Sequence, residues 1–126
     1  MDSVISSITG DLLAKAMDVC TSTHKVIANN IANINSDHFR ASEVDFGAIF
    51  DATKTAVLDD DKAGISAALH TIDSNALPVR QSEGEPLSLD QSMVQLTENT
   101  LRYHALADMR KGMGSLMKIA ITGSNR

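Results

Sequence analysis

Residues 26–39 read VIANNIANINSDHF, and how this stretch is read decides the fold. Four asparagines, Asn29, Asn30, Asn33 and Asn35, fall within seven positions, threaded between Ile27, Ile31 and Ile34. Asparagine is a poor helix former, because its short side chain competes for nearby backbone groups. The isoleucines nonetheless keep helical spacing. Toward the N-terminus they continue a stripe of Leu13, Met17, Cys20, His24, Ile27, Ile31 and Ile34, spaced 4, 3, 4, 3, 4 and 3. That is a heptad pattern, and Leu12, Ala16, Val19 and Val26 widen it. It predicts one helix over residues 7–35, roughly 40 Å long at 1.5 Å per residue.

The C-terminal third carries a matching pattern. Leu89, Met93, Leu96, Tyr103, Leu106, Met113, Leu116 and Ala120 keep spacings of 3, 4 or 7, with Met109, Met117 and Ile121 beside them. Ser88-Leu89-Asp90-Gln91 fits a capping box, in which Ser88 accepts from the Gln91 amide while the Gln91 side chain reaches back. Asp90 suits the positive helix end. Pro86 separates this helix from what precedes it, and Gly123 marks its end. Gly112 and Gly114 lie inside, where each costs about 1 kcal/mol relative to Ala. Local bending or a close backbone approach is expected there.

Between the two lies a different sequence. Residues 41–58 suit a short helix with Phe46, Ile49, Phe50, Thr53 and Val57 on one face. Asp59-Asp60-Asp61 reads as a solvated acidic loop, since EF-hand loops alternate their ligands around a mid-loop glycine. Residues 65–80 show partial alternation and Pro78, the pattern of short strands or extended chain. Residues 81–85, with Gly84, read as a turn or linker. The expected fold is mainly α: two long terminal amphipathic helices forming an antiparallel coiled-coil-like pair, with an irregular middle holding a short helix and short strands. The chain divides into an N-terminal assembly helix (1–38), a middle segment (39–86) and a C-terminal assembly helix (87–126) of one structural unit.

Composition agrees with helix-face packing. Apolar residues make up 43% of the chain, but there are only three Phe, one Tyr and no Trp, and aromatics supply much of a compact core's area. With a net charge of −5 and scattered basic residues, the chain lacks the basic stripe of a nucleic-acid binder. Cys20 is the single cysteine, which leaves no intramolecular disulfide and no cysteine metal cluster; it reads as a small buried apolar residue. No apolar run reaches the roughly 20 residues of a membrane span, and MDSVISSITGDLLAK has no basic n-region of a secretory signal peptide. Two long apolar stripes exceed what their mutual seam and a small middle segment can cover, and such faces usually meet other subunits.

Around the helix axis, Asn29 and Asn33 stand opposite Ile31 as an i,i+4 pair, with Asn30 on the flank. Two readings stay open: a solvated, fraying helix end, or a second face meeting protein, where the amides set register as a polar seam residue does.

At these residues the chain resembles a family. Ala28-Asn29-Asn30-Ile31-Ala32-Asn33, followed by Phe39-Arg40-Ala41, is similar to the Asn-Ile-Ala-Asn signature of bacterial flagellar rod and hook proteins. Glu43-Val44-Asp45-Phe46, Leu87-Ser88-Leu89-Asp90-Gln91-Ser92-Met93 and Glu98-Asn99-Thr100-Leu101-Arg102-Tyr103 narrow the likeness to the FlgB-type proximal rod proteins, in order and at suitable length. Three departures stand out. The family's Thr-Pro-Gly is Ser36-Asp37-His38, which removes a glycine suited to a φ > 0 turn, although His and Asp tolerate that region better than most residues. Its Glu before Met93 is Ser92. Residues 47–80 match weakly.

The resemblance implies a structural subunit of the flagellar basal body, in the periplasmic rod, exported by the flagellar type III apparatus without a cleaved signal. It implies partners among other rod proteins, basal body or export-gate components and copies of the chain itself, with no nucleic acid, no small-molecule substrate, no metal and no cofactor. The expected subunit interface is Leu13, Met17, Cys20, Ile27, Ile31 and Ile34 with Met93, Leu96, Tyr103, Leu106 and Met113, and Asn29, Asn30 and Asn33 setting register. The terminal helices would fold on assembly, when burial offsets the cost of ordering. The alternative reading is a soluble helical binding module, such as a flagellar export adaptor or chaperone.

An enzyme is not expected. His24, His38, His70 and His104 form no His-x-x-x-His pair or His-Glu-x-x-His motif. His24 reads as a packed or partner-bonded stripe residue and not a ligand. No phosphate loop or nucleophile elbow occurs, and Glu98 with Arg102 reads as a surface i,i+4 ion pair.

Overall fold

A computed structural model describes residues 2–59, 62–73, 76–83 and 87–123, with no account of the side chains of residues 1–7, 50, 52–53 and 55–57. The elements run α1 (Asp2–Asn33), β1 (Ser42–Val44), α2 (Phe46–Leu58), α3 (Lys62–Thr71), β2 (Val79–Gln81) and α4 (Leu89–Thr122). The protein is mainly helical, as its two stripes predict, and α1 and α4 are 32 and 34 residues long. They lie antiparallel: a Cβ added to Gly10 would stand 3.5 Å from Met113 Cε, while Asn99 bonds to the Cys20 carbonyl.

The start of α4 is the one its sequence specifies. Ser88 is extended at φ −84° and ψ 155°, its side chain accepts from the Gln91 amide, and the Gln91 side chain accepts from the Ser88 amide. At the other end Gly123 is left-handed at φ 63° and donates to the Ile119 carbonyl, a conformation that costs glycine nothing. Pro86 and Gly84 lie outside the described residues, as do Asp60 and Asp61 of the acidic run.

The seam departs from the heptad line. Leu13, Cys20 and Ile27 are buried as expected, but so are Thr23 and Asn30, and His24 is exposed rather than packed. At about 100° per residue, the buried face of α1 is turned roughly 60° from the predicted stripe. Two causes combine. A straight helix drifts against a 3.5-residue repeat, and β1 packs on α1 from the Asn30 side. On α4 the inward line is Ser92, Leu96, Asn99, Leu106 and Met113, whereas Leu89, Met93, Tyr103 and Leu116 of the predicted stripe are exposed. Small polar Ser92 is fully buried, its hydroxyl donating to the Ser88 carbonyl.

The middle segment is more ordered than expected. Residues 65–71, part of the 65–80 stretch read from sequence as short strands or extended chain, lie in α3. Ile65, Leu69 and Ile72 follow helical 4, 3 spacing, and Leu69 is buried; partial alternation misled because short apolar runs fit both periods. The helix expected over residues 41–58 begins later, at Phe46, because residues 42–44 pair with β2. Asp45 caps α2 by accepting from the Ala48 amide. Phe46 is half-exposed and Ile49 partly buried; the side chains of Phe50, Thr53 and Val57 lie outside the description. β1 and β2 pair antiparallel, with Ser42 opposite Gln81, Glu43 opposite Arg80 and Val44 opposite Val79. Asp45 donates its amide to the Pro78 carbonyl and Ser82 to that of Ala41, extending the pairing at both ends.

Gly112 and Gly114 neither bend α4 to a stop nor admit a neighbour: a Cβ at either would meet nothing within 4 Å. Gly112→Ala and Gly114→Ala should therefore each stabilise the free chain, by about 1 kcal/mol or somewhat less. Urea unfolding followed by circular dichroism checks this.

Candidate functional site

The asparagine stretch builds the junction between α1 and the rest of the chain. Asn30, 2% exposed, donates its amide to the Ser42 carbonyl at 2.7 Å and accepts from the Ser42 amide at 2.9 Å. One primary amide thus pairs with both polar groups of a strand residue, as a neighbouring strand would. Both Asn30 side-chain atoms are engaged inside the chain. Asn33 reaches back one turn, donating to the Asn29 carbonyl at 2.8 Å and to its side-chain oxygen at 3.1 Å. That gives the Asn29 carbonyl, one turn from the end of α1, a side-chain donor. Asn29 stays exposed and Asn33 half-buried.

The chain then turns sharply. Ser36 donates to the Asn33 carbonyl and Phe39 to the Ser36 carbonyl, and His38 sits left-handed at φ 59°. The positive-φ turn survives without the family's glycine, on a residue type that tolerates the region. It delivers Ala41 and Ser42 to the Asn30 side of α1, where Ala41 and Val44 are buried. Across the two-stranded sheet, Arg80 Nε lies 2.7 Å from a Glu43 carboxylate oxygen, a well-exposed cross-strand pair worth at most about 1 kcal/mol.

The α2–α3 pair rests on α1 through α3. Lys15 donates to the Ile72 carbonyl at 2.8 Å, placing a cation at the negative end of α3, and His70 stands 3.8 Å from Asp11. Among the described residues α2 packs on α3. An apolar cleft of about 650 Å³ is left between α1, α2 and α4, with Leu12, Val19, Phe46 and Leu106 in its walls.

The expected interface residues separate into two sets. Leu13, Cys20 and Ile27 are spent on the seam with α4, and Leu96, Leu106 and Met113 are partly covered there. Met17, Ile31 and Ile34 are half-exposed, and Met93 and Tyr103 are exposed. The structure adds residues that the stripe missed or left at its edge: Val94, Leu101, Met109 and Ile121 also face outward, Leu101 at 63% and Ile121 at 81% exposure. Counting apolar residues around the whole of α4, not only along one line, is the signal that finds them.

The site offers little chemistry. Burial pushes the Cys20 thiol above its ordinary value, against the opposing pull of the nearby Arg102 guanidinium. The expected Glu98–Arg102 pair is not among the ion pairs of the described residues. Among those residues no group of His, Cys, Asp or Glu is of metal-binding size, and no helix is long and apolar enough to cross a membrane.

The described residues thus form an antiparallel pair of long terminal helices with a small middle segment and several apolar side chains left exposed. The chain is similar to the flagellar basal body rod protein FlgB of Bacillus subtilis (strain 168), with 28% identity over 118 residues, covering 88% of this chain and 91% of that one. No family model and no solved structure matches. The likeness carried by the asparagine stretch and the two α4 motifs is thus one to flagellar basal body rod proteins, of the FlgB type.

Two outcomes are expected. Asn30→Ala strips both partners from a part-buried peptide and should cost about 1–3 kcal/mol, read as a lower urea midpoint with faster amide exchange at Ser42. Since the folded Cys20 thiol titrates above its ordinary value, the stability tied to it is intact below that value and lost as the pH climbs through the raised one. Unfolding should become easier from neutral to alkaline buffer, and Cys20→Ala should flatten that slope.

Proposed function

We propose that the chain is a structural subunit of the flagellar basal body rod, joining copies of itself and other rod proteins through the outward faces of α1 and α4. The observation that carries this is the exposure of Val94, Leu101, Met109, Leu116 and Ile121 on α4, a helix that is already paired along one side. An isolated domain gains nothing by leaving such side chains in water, and the similarity to a basal body rod protein supplies the setting.

In this reading the two sets of residues have different duties. Leu13, Cys20 and Ile27 hold the subunit's shape. Met17, Ile31, Ile34, Met93 and Tyr103 belong to the contact with neighbours, together with the outer α4 residues, and Leu96, Leu106 and Met113 lie at the border between seam and contact. Asn29 offers its exposed amide to a neighbouring chain, Asn33 holds it in place through their side-chain bond, and Asn30 sets register indirectly, by fixing β1 against the end of α1. The work is structural and needs no catalysis, metal or cofactor. Export through the flagellar type III apparatus, without a cleaved signal, would bring the chain to the periplasmic rod beside basal body and export-gate components.

Leu101→Asp and Leu116→Asp test the assignment, since both side chains are more than half exposed and the free fold does not depend on them. Each should leave helix content and the unfolding midpoint within about 0.5 kcal/mol of the parent while abolishing swimming and incorporation into basal bodies. Normal motility in both would overturn the assembly role. A stable free dimer with protected helix ends would point to the chaperone or adaptor reading.

A further inference from the structure

The seam between α1 and α4 contains one arrangement that stability alone does not explain. Asn99 is 4% exposed and donates its amide to the Cys20 carbonyl at 2.7 Å. Its side-chain oxygen is buried and meets no donor among the described residues. A leucine would bury more apolar surface and orphan nothing, so the amide carries a cost. On α1 the inward line reads Leu13, Cys20, Ile27, with Ala16 and Thr23 on the turns either side of Cys20. Cys20 is the smallest member of that line. The Thr23 hydroxyl is turned away, donating to the Val19 carbonyl at 2.7 Å. Small side chains thus open a notch at one level of α1, and the amide reaches the helix backbone there.

We infer that Asn99 and the Ala16–Cys20–Thr23 notch form a register key, which admits one axial alignment of α4 on α1 and disfavours the alignments one heptad away. A slip of seven residues would set Asn99 against Leu13 or Ile27. Their bulk would hold the amide off the helix carbonyls and leave both of its ends without partners. A polar group in an apolar seam selects register in this way at a cost in stability. Among the described residues α4 packs on α1 alone, with no other element beside it to set the alignment. β1 and β2 are tied to α1 through Asn30, but α4 follows β2 after residues 82–88, a connection long enough to absorb a shift of roughly 10 Å. The key is independent of what the outer faces bind.

Spin labels at Lys25 and Gln95, both exposed and on facing levels of α1 and α4, read the alignment in the free full-length chain. A Cys20→Ala background keeps the notch small and leaves only the introduced thiols. With Asn99 intact a single distance is expected by pulsed electron spin resonance. Asn99→Leu should raise the melting temperature yet add a second, longer distance, as an axial slip of one heptad, about 10 Å of helix rise, requires. Asn99→Ala, which adds no bulk to the seam, should add the same second distance. Cys20→Leu, closing the notch with Asn99 in place, should spread the distances as well. A single unchanged distance in both Asn99 variants would overturn the inference.

Discussion

Everything else in the molecule leans on the contact between α1 and α4, where aliphatic side chains alternate with small and polar ones. Leu13, Cys20 and Ile27 meet a line that includes Ser92 and Asn99. The end of the Met113 side chain reaches over Gly10, and no large aromatic adds to the apolar area of the seam. At about 25 cal/mol per Å², a seam without large aromatics yields a modest driving force. The buried hydroxyls of Thr23 and Ser92 are made tolerable by bonds to carbonyls of their own helices, so they cost little and add little.

Because the seam is narrow, the ends of the elements need separate devices. Ser88 and Gln91 start α4 and Gly123 stops it. Asp45 starts α2, and His38 turns the chain after α1. Asn30 converts the last turns of α1 into a docking edge for a strand. Each of these acts over a few residues and is strong through geometry rather than area. The middle segment is held by such local bonds, by Leu69 and by the Lys15 contact to the end of α3, and it leaves one flank of the helix pair open.

That open flank gives the similarity to a basal body rod protein its physical sense. A subunit of an extended assembly must be short of burial alone and complete only among neighbours. Here the shortage is concentrated on the outer side of α4, from Val94 to Ile121, and on the half-exposed residues Met17, Ile31 and Ile34 of α1. Scarcity of aromatic residues fits the same picture, since helices that pack along their whole length use aliphatic side chains at close spacing.

What the sequence by itself determined were the features with a short reach. The lengths of α1 and α4, the capping box, the glycine stop and the likeness carried by the asparagine stretch could be read from spacings of three and four residues, because helix periodicity and capping are local. The rotation of the buried face of α1 was not legible, and neither was the exposure of His24 or the inward place of Ser92 and Asn99. The helical state of residues 62–71 was legible only in part, in the spacing of Ile65, Leu69 and Ile72. Only the tertiary structure decided these, because which side of a helix is inside depends on where β1 and α4 come to lie. Asn30 shows the division most plainly. From sequence it is a polar residue on the flank of an apolar stripe; it is buried because a strand twelve residues later needs a partner for its peptide group, and no periodicity within α1 contains that fact.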